Sequence, residues 1–427
     1  MIKLFEHKKL TENKAIKNVQ LPSKVYLPLI QHFGKPCDHI LVKPGDLVKT
    51  GQMIAVSKDG LFSPIHSSMS GKVNSILDWP HPNLGKAKSV VIESDGKDDK
   101  DYGSQRSKEE IEQLSIKDLK EIIFNAGIVG LGGAGFPTYV KLSPPKPVDT
   151  LILNGAECEP YLTNDCRVML EYVSEIIEGA KIVLKILGVN KCIVAIEGNK
   201  PEAIGIFKSR IQDERFKIHV LKACYPQGGE KQLIKSTLNR EVPSGGLPYD
   251  IGAVVQNVGT VYAIYEAVYK NKPLYEKVIT ITGSCVQNPG NFLVRIGTTV
   301  KDLIAECGGL KEEPAKIVFG GPMMGIAQFS QDTPVIKTTS GIIFFSQKEI
   351  IKKESRVCCR CARCIDVCPA RIMPAILGMA AEKERWDIVK ENDIYDCIEC
   401  GLCSYICPAK RDLVQLIKYA KLRAKAK

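Results

Sequence analysis

The residues 358-CCRCARCIDVCPARIMP-374 and 396-DCIECGLCSYICPAKR-411 decide how the rest of the chain is read. Cys358, Cys361, Cys364 and Cys368 follow the spacing C-x2-C-x2-C-x3-C, with Pro369 next; Cys397, Cys400, Cys403 and Cys407 repeat it ahead of Pro408. Thiolates are soft ligands suited to iron–sulfur clusters. This spacing wraps two four-iron cubanes, with the fourth cysteine of each run ligating the other cluster. One cubane is thereby assigned to Cys358, Cys361, Cys364 and Cys407, the other to Cys397, Cys400, Cys403 and Cys368. Structural zinc prefers pairs of CxxC knuckles separated by a loop, which is not the arrangement here. Disulfides belong to oxidising compartments and mostly to small secreted domains. Two clusters in one domain conduct electrons, so the rest of the sequence has to supply what feeds them.

The 427 residues are enough for two to four domains. At 44% hydrophobic and 25% charged, the composition is that of an ordinary globular protein. No apolar run reaches the length of a membrane span, and the opening MIKLFEHKKLTENK has no signal-peptide core. With reduced cluster cysteines, this implies the cytoplasm. The net charge of +11 is scattered except in the tail YAKLRAKAK, and aromatic side chains do not interleave with it as base-stacking platforms. A basic solvated surface is expected, with no nucleic-acid partner.

Taken in order, VYLPL, HILV, QMIAV, GKVNSIL and SVVIES are short β-type runs separated by turn signals. VKPGDLVKTGQMIA and SPIHSSMSGKV resemble a biotinyl/lipoyl-type barrel-sandwich fold. Met69 is flanked by Ser68 and Ser70 rather than by an acceptor lysine, so the module is read as structural, with His66 in a loop. A polar linker follows. The helix IKDLKEIIFNAG then leads into IVGLGGAGFPTYVKL, whose Gly130, Gly132, Gly133 and Gly135 let backbone N–H groups approach a phosphate. Strands at DTLILNGAECEPY and KCIVAIEGN, and a strand–turn–helix at PYDIGAVVQNVGTVYAIYEAV, indicate an α/β layer domain. VITITGSCVQNPGNFLVRIGTTVKDLIAECGGL has the strand, turn, strand and helix of a β-grasp, soluble-ligand-binding module. In the cluster domain one helix is expected from Pro374 through AILGMAAEKERWDIVKE, with Trp386 in the core and Cys359 spare. A last amphipathic helix carries Leu413, Leu416, Ile417 and Ala420. The boundaries are 1–100 for the barrel-sandwich hybrid, 101–114 for the linker, 115–275 for the α/β domain, 276–335 for the β-grasp module and 340–427 for the cluster domain. The fold class is multidomain, α/β and α+β.

GLGGAGFPT, ILNGAECEPYLTND, YPQGGEKQLI and VVQNVGT resemble the flavin and NADH motifs of the flavoprotein subunit of respiratory complex I. Together with the barrel-sandwich start, the β-grasp module and the two-cluster tail, the chain resembles the RnfC family of Rnf electron transport complexes over nearly its whole length. The resemblance implies FMN, NADH and two [4Fe-4S] clusters as cofactors, in an NADH:acceptor oxidoreductase. It implies Gly130, Gly132 and Gly133 along the flavin, Lys141 near its polar edge, Asn154 on the ring, and Asn257 and Thr260 at the phosphate. Phe136 is implied to stack on the dinucleotide, with Glu159 and Glu230 at the dinucleotide's polar groups and Glu157 among the cofactor-binding residues. No catalytic acid–base residue is required. Ala156 stands where complex I carries Asp, which removes one flavin contact. The implied partners are the other Rnf subunits, with ferredoxin reached indirectly and the membrane reached through those subunits. The start lacks a Gly-Gly-x-His-Pro opening, which keeps soluble relatives open: electron-transfer components of cobalamin, proline or methylenetetrahydrofolate reductase systems. A non-catalytic iron–sulfur relay scaffold is the other alternative.

Overall fold

The computed structural model describes residues 1–350 and 354–425; the last two residues of the basic tail, Ala426 and Lys427, lie outside it. At its centre is a four-stranded parallel sheet in the order Phe216–Leu221, Cys192–Glu197, Thr150–Gly155, Ala253–Asn257. All but the edge strand Phe216–Leu221, which exposes Lys217 and Val220, are largely apolar runs without alternation because helices cover both faces; Leu151, Ile152, Leu153, Val194 and Ile196 are completely buried. The chain moves outward from Thr150–Gly155 through the next two strands and then returns to its other side with Ala253–Asn257. That reversal opens a crevice beyond the carboxyl ends of the two strands, where open α/β sheets bind ligands.

The helix Ile116–Asn125 opens on a capping box: Ser115 Oγ accepts from Asp118 N at 3.2 Å, and Asp118 Oδ2 accepts from Ser115 N at 2.9 Å. A helix at Lys108–Gln113, capped by Ser107 in the same way, occupies the segment read as linker. Two Ser-x-x-acid boxes in succession are the local signal that the polar composition masked.

The barrel-sandwich module pairs Lys24–Pro28, Gly85–Ser94, Gly71–His81 and Leu47–Val48, with a smaller sheet of His39–Ile40, Met53–Val56 and Ile65–His66. Met69 is completely buried and Ser68 Oγ donates to Ile296 O at 2.5 Å. The hairpin tip is therefore packed on the β-grasp module, closed to modification. His66 lies in a strand, not in a loop, and burial together with the nearby Lys337 pushes its pKa down to about 3.

The β-grasp sheet has six strands, in the order Ile16–Asn18, Gly290–Arg295, Glu276–Thr282, Gly341–Phe345, Lys316–Phe319, Ile326–Gln328. Two of them come from outside the segment 276–335. Ile16–Asn18 pairs in parallel with Gly290–Arg295, and Gly341–Phe345 runs between Glu276–Thr282 and Lys316–Phe319. Ile342, Ile343 and Phe344 are completely buried, and a strand this apolar needs neighbours on both edges.

The cluster domain packs Pro374–Glu382, Trp386–Glu391 and Leu413–Lys425 around Leu377, Val389, Ile417 and Ala420. The single helix expected after Pro374 is broken at Lys383–Arg385, where Glu384 takes a left-handed φ of 52°. The break turns Trp386 back onto Tyr419, with ring centroids 5.8 Å apart.

One lysine ties three modules together. Lys337 is fully buried, and its Nζ donates to Pro64 O at 2.6 Å and Gly127 O at 2.7 Å, while its own carbonyl accepts from Lys277 Nζ at 2.8 Å. Burial pushes the Lys337 pKa down to about 7. The unfolded chain, with lysine near its ordinary 10.5, therefore binds more protons above pH 7, and stability rises with pH until the two states match. Relative to Lys337→Met, the wild type should gain on the order of 1 kcal/mol per pH unit between about pH 8 and 10 in denaturant unfolding. Parallel pH profiles for the two proteins would contradict this.

Candidate functional site

At the mouth of the switch-point crevice Asn154 and Asn257 are register partners on adjacent strands. Asn257 caps the helix Val258–Lys270, its Oδ1 accepting from Gly259 N at 2.8 Å and Thr260 N at 3.3 Å. Its Nδ2 donates to Asp165 Oδ2 at 2.7 Å. The Gly-rich loop is fastened to the same helix start, Leu131 N donating to the buried Thr260 Oγ1 at 2.9 Å. Gly130 N closes the loop on Phe136 O at 2.9 Å. A Cβ on Gly132 would lie 2.7 Å from Asn257 Nδ2, so only glycine lets the loop touch the cap. Gly133 is exposed with open space around its missing Cβ. The exposed Gly132 and Gly133 lie beside the N-terminus of a 13-residue helix, an arrangement that could receive an anion.

Across the mouth, Lys141 Nζ pairs with Glu230 Oε1 at 2.6 Å and reaches Val255 O at 3.3 Å. Asn154 joins two loops: its Nδ2 donates to Gly228 O at 3.0 Å and its Oδ1 accepts from Ala156 N at 3.0 Å. Phe136 stacks with Phe33 of the barrel-sandwich module, centroids 5.9 Å apart, and Phe33 is 55% exposed.

Glu157 faces a different set of partners. Its Oε1 accepts from Asp165 N at 2.7 Å, its Oε2 lies 3.5 Å from Lys8 Nζ, and Lys8 also donates to its carbonyl. Lys200 and Glu197 form a second buried pair at 3.2 Å. Burial works against the Lys200 charge, but Glu157 and Glu197 outweigh it and raise its pKa. Burial and the charge of Glu157 push Asp165 up to about 6. The two acids and two lysines hold the N-terminal strap and the loop Glu157–Asp165 against the sheet.

Glu159 lies where three modules meet. It accepts from Met323 N at 3.1 Å and Met324 N at 2.9 Å in the glycine turn of the β-grasp module. Tyr225, completely buried, places its hydroxyl 3.2 Å from Glu159 Oε1 and 2.8 Å from the carbonyl of Cys400. Burial pushes Glu159 up to about 7 against the pull of those amides. In its protonated form the carboxyl can donate to Tyr225 while Tyr225 donates to Cys400.

The two cysteine runs share one backbone device. Arg360 and Glu399, Ala362 and Gly401, Arg371 and Lys410 occupy equivalent positions and all take left-handed φ values. The runs cross: Cys364 has Cys407 and Cys358 among its charged neighbours, whereas Cys397, Cys400 and Cys403 each have Cys368. Burial pushes the Cys400 thiol up to about 11 and Cys403 up to about 12. A cation is what makes such buried thiolates tolerable. Among the described residues no group of three or more metal-ligating side chains is gathered as for a single metal ion. The proximities of Cys364 to Cys407, and of Cys368 to Cys397, Cys400 and Cys403, are those that the crossed ligation requires.

The runs differ in what they touch. Besides Cys400, the second run places Ile398 against Gly229 and Gly401 against Met323 O, and Asp396 pairs with Lys231 at 3.3 Å. In the first run Cys359 and Cys361 are exposed. Tyr225, Asp165, Gly228 and Phe33 were not singled out from sequence, although Tyr225 and Gly228 lie inside YPQGGEKQLI and Asp165 ends ILNGAECEPYLTND.

Four family models match successive parts of the chain. Residues 2–97 match the RnfC barrel sandwich hybrid domain, 123–266 the Nuo51 FMN-binding domain, 278–327 the SLBB domain and 350–408 the 4Fe-4S dicluster domain. The chain is 48% identical to the RnfC-type subunit of the proton-translocating ferredoxin:NAD(+) oxidoreductase complex of Clostridium ljungdahlii, over 99% of this chain and 92% of that one. It is 44% identical to the Na(+)-translocating counterpart of Acetobacterium woodii, over 94% and 90%. With the corresponding subunit of the ion-translocating oxidoreductase complex of Vibrio cholerae the identity is 39% over 92% of this chain and 51% of the relative. Among solved structures, an NAD+-reducing [NiFe]-hydrogenase in the H2-reduced state shares the fold, with TM-score 0.50 and 17% identity over 74% of this chain and 62% of that one.

Gly132→Ala should displace Asn257 from its cap and cost about 0.5–2 kcal/mol, the usual worth of an N-cap. Gly133→Ala should leave stability unchanged. Thermal unfolding of the two variants without added flavin checks both, and equal effects would contradict the packing described.

Proposed function

The chain belongs to the RnfC family, subunits of ion-translocating ferredoxin:NAD(+) oxidoreductase complexes, and from that premise we propose that it passes electrons between NAD(H), FMN and two [4Fe-4S] clusters within such a complex. The observation that carries this reading is the seating of the second cysteine run on the crevice loops, through Tyr225 and Cys400. Flavin exchanges electron pairs with NADH and single electrons with clusters, which is the chemistry the bound cofactors supply.

The chain's own part is placement and electrostatics. The amides of Gly132 and Gly133, in the loop that Gly130 closes on Phe136, hold the FMN phosphate with the helix start at Asn257 and Thr260. Asn154, Lys141 and Glu230 meet the flavin's polar edge, and opening of the Lys141–Glu230 pair frees both groups for it. Phe136, with Phe33, supplies the aromatic face for the dinucleotide. Glu159 orients Tyr225 toward the second run, and Glu157 holds the loop from below. Cys358, Cys361, Cys364 and Cys407 ligate one cluster; Cys397, Cys400, Cys403 and Cys368 ligate the other.

Family membership favours partners that are the other subunits of such a complex over soluble reductase systems. No helix among the described residues is long and apolar enough to cross a membrane. Membrane association is therefore assigned to those partners, with this chain peripheral on the cytoplasmic face.

Anaerobic purification should give about one FMN and eight irons per chain, with flavin and cluster absorbance both bleached by NADH. Iron without flavin, or clusters indifferent to NADH, would contradict the reading. Cys407→Ala should strip iron from the cluster bound by Cys358, Cys361 and Cys364 and leave the other largely intact; iron loss confined to the second run would overturn the crossed ligation.

A further inference from the structure

The internal repeat of the cluster domain allows its two faces to be compared position by position. In the second run Ile398 packs on Gly229, Gly401 on Met323 O, and Leu402 is completely buried. Glu399 pairs with Lys421 at 2.8 Å. The equivalent positions of the first run are Cys359, Ala362, Arg363 and Arg360, and all four are exposed. One backbone shape is thus used twice: one copy is seated inside the protein, and the other presents the same face to solvent.

That open face is both apolar and basic. Val357 is 87% exposed, and Ile365 is exposed as well. Arg356, Arg360, Arg363 and Arg371 are all exposed, and from Arg356 to Arg371 the only acid is Asp366. Among the described residues none of the four arginines has a carboxylate within ion-pair distance. An apolar centre with a charged rim of one sign is the form of transient redox interfaces, where complementary charge sets encounter and register.

We infer that this face docks an acidic electron-transfer protein, so that the first run exchanges electrons with a partner as the second does with the crevice. The inference rests on the function proposed above and adds to it the partner's chemistry and the place where it binds. A protein is favoured over an anionic membrane surface because Arg360 and Arg363 flank the exposed Cys361 in the chain, with Arg363 close enough to act on its thiol; Cys361 is assigned to the cluster, and a lipid headgroup has no use for a redox centre.

The test uses the cluster-loaded protein under anaerobic conditions, with an acidic two-[4Fe-4S] ferredoxin as probe and basic cytochrome c as control. Binding to the immobilised protein without NADH should be seen for the ferredoxin and should weaken steeply with salt. The double variant Arg360→Glu/Arg363→Glu should lower it about tenfold or more while favouring cytochrome c. Arg356→Glu/Arg371→Glu, farther from the ligands, should act in the same direction and serves if the first pair loses iron. Bleaching by NADH is recorded separately. If it fails while charge reversal still abolishes binding, the proposed function falls and the docking face stands. Ferredoxin binding that is absent, or indifferent to both variants and to salt, would overturn the inference. Loss by the variants of retention on phosphatidylglycerol vesicles, with ferredoxin binding unchanged, would overturn it in favour of a membrane surface.

Discussion

A carboxylate taken out of water has to be met by donors or it neutralises. Glu159 is met by two backbone amides from the β-grasp turn, and in its protonated form it donates to the Tyr225 hydroxyl, which in turn donates to the Cys400 carbonyl. The ends of three modules are thereby held at one point. A Cβ on Gly321 would collide with the Glu159 carboxylate, and one on Gly401 would press on Met323 O. Glycine at both positions is what allows the close approach.

The same logic recurs away from the crevice. Lys8, Glu157, Glu197 and Lys200 are buried as a group, and Lys337 and Lys277 are buried with only weak acidic support. Buried ions seldom add net stability compared with apolar packing, but removing one partner is costly. Their effect here is to specify docking: the N-terminal strap against the flavin domain, and the barrel-sandwich module against both the flavin domain and the β-grasp sheet.

Cysteine spacing revealed the two runs because three ligands of each cubane follow one another at C-x2-C-x2-C spacing. The glycine loop and three strands of the parallel sheet were legible for similar local reasons; the edge strand Phe216–Leu221 was not, because Lys217 and His219 interrupt its apolar residues. The contacts that make a site of them were not. Phe33 meets Phe136, and Tyr225 meets Cys400, only after distant segments pack, and no periodicity encodes that meeting. Strand Gly341–Phe345 looked like the start of the cluster domain because its sheet partners lie far before it in sequence. The break at Glu384 was hidden because AEKER is a good helix sequence locally, and only the packing of Trp386 on Tyr419 rewards the turn. Glu157 was grouped with Glu159 on motif alone; burial separates them, one facing Lys8 and the other Tyr225.

The central claim is that the second cysteine run, through its seat on Tyr225, is the one coupled to the crevice, and the first run is the one coupled to the outside. Rapid anaerobic mixing with NADH of two variants tests this most directly: Cys361→Ser, which removes a ligand of the outer cluster, and Cys400→Ser, which removes one of the inner cluster. The account predicts that the cluster left in Cys361→Ser bleaches as fast as in the wild type, and that the cluster left in Cys400→Ser bleaches far more slowly. Equal rates in the two variants, or the reverse order, would contradict it.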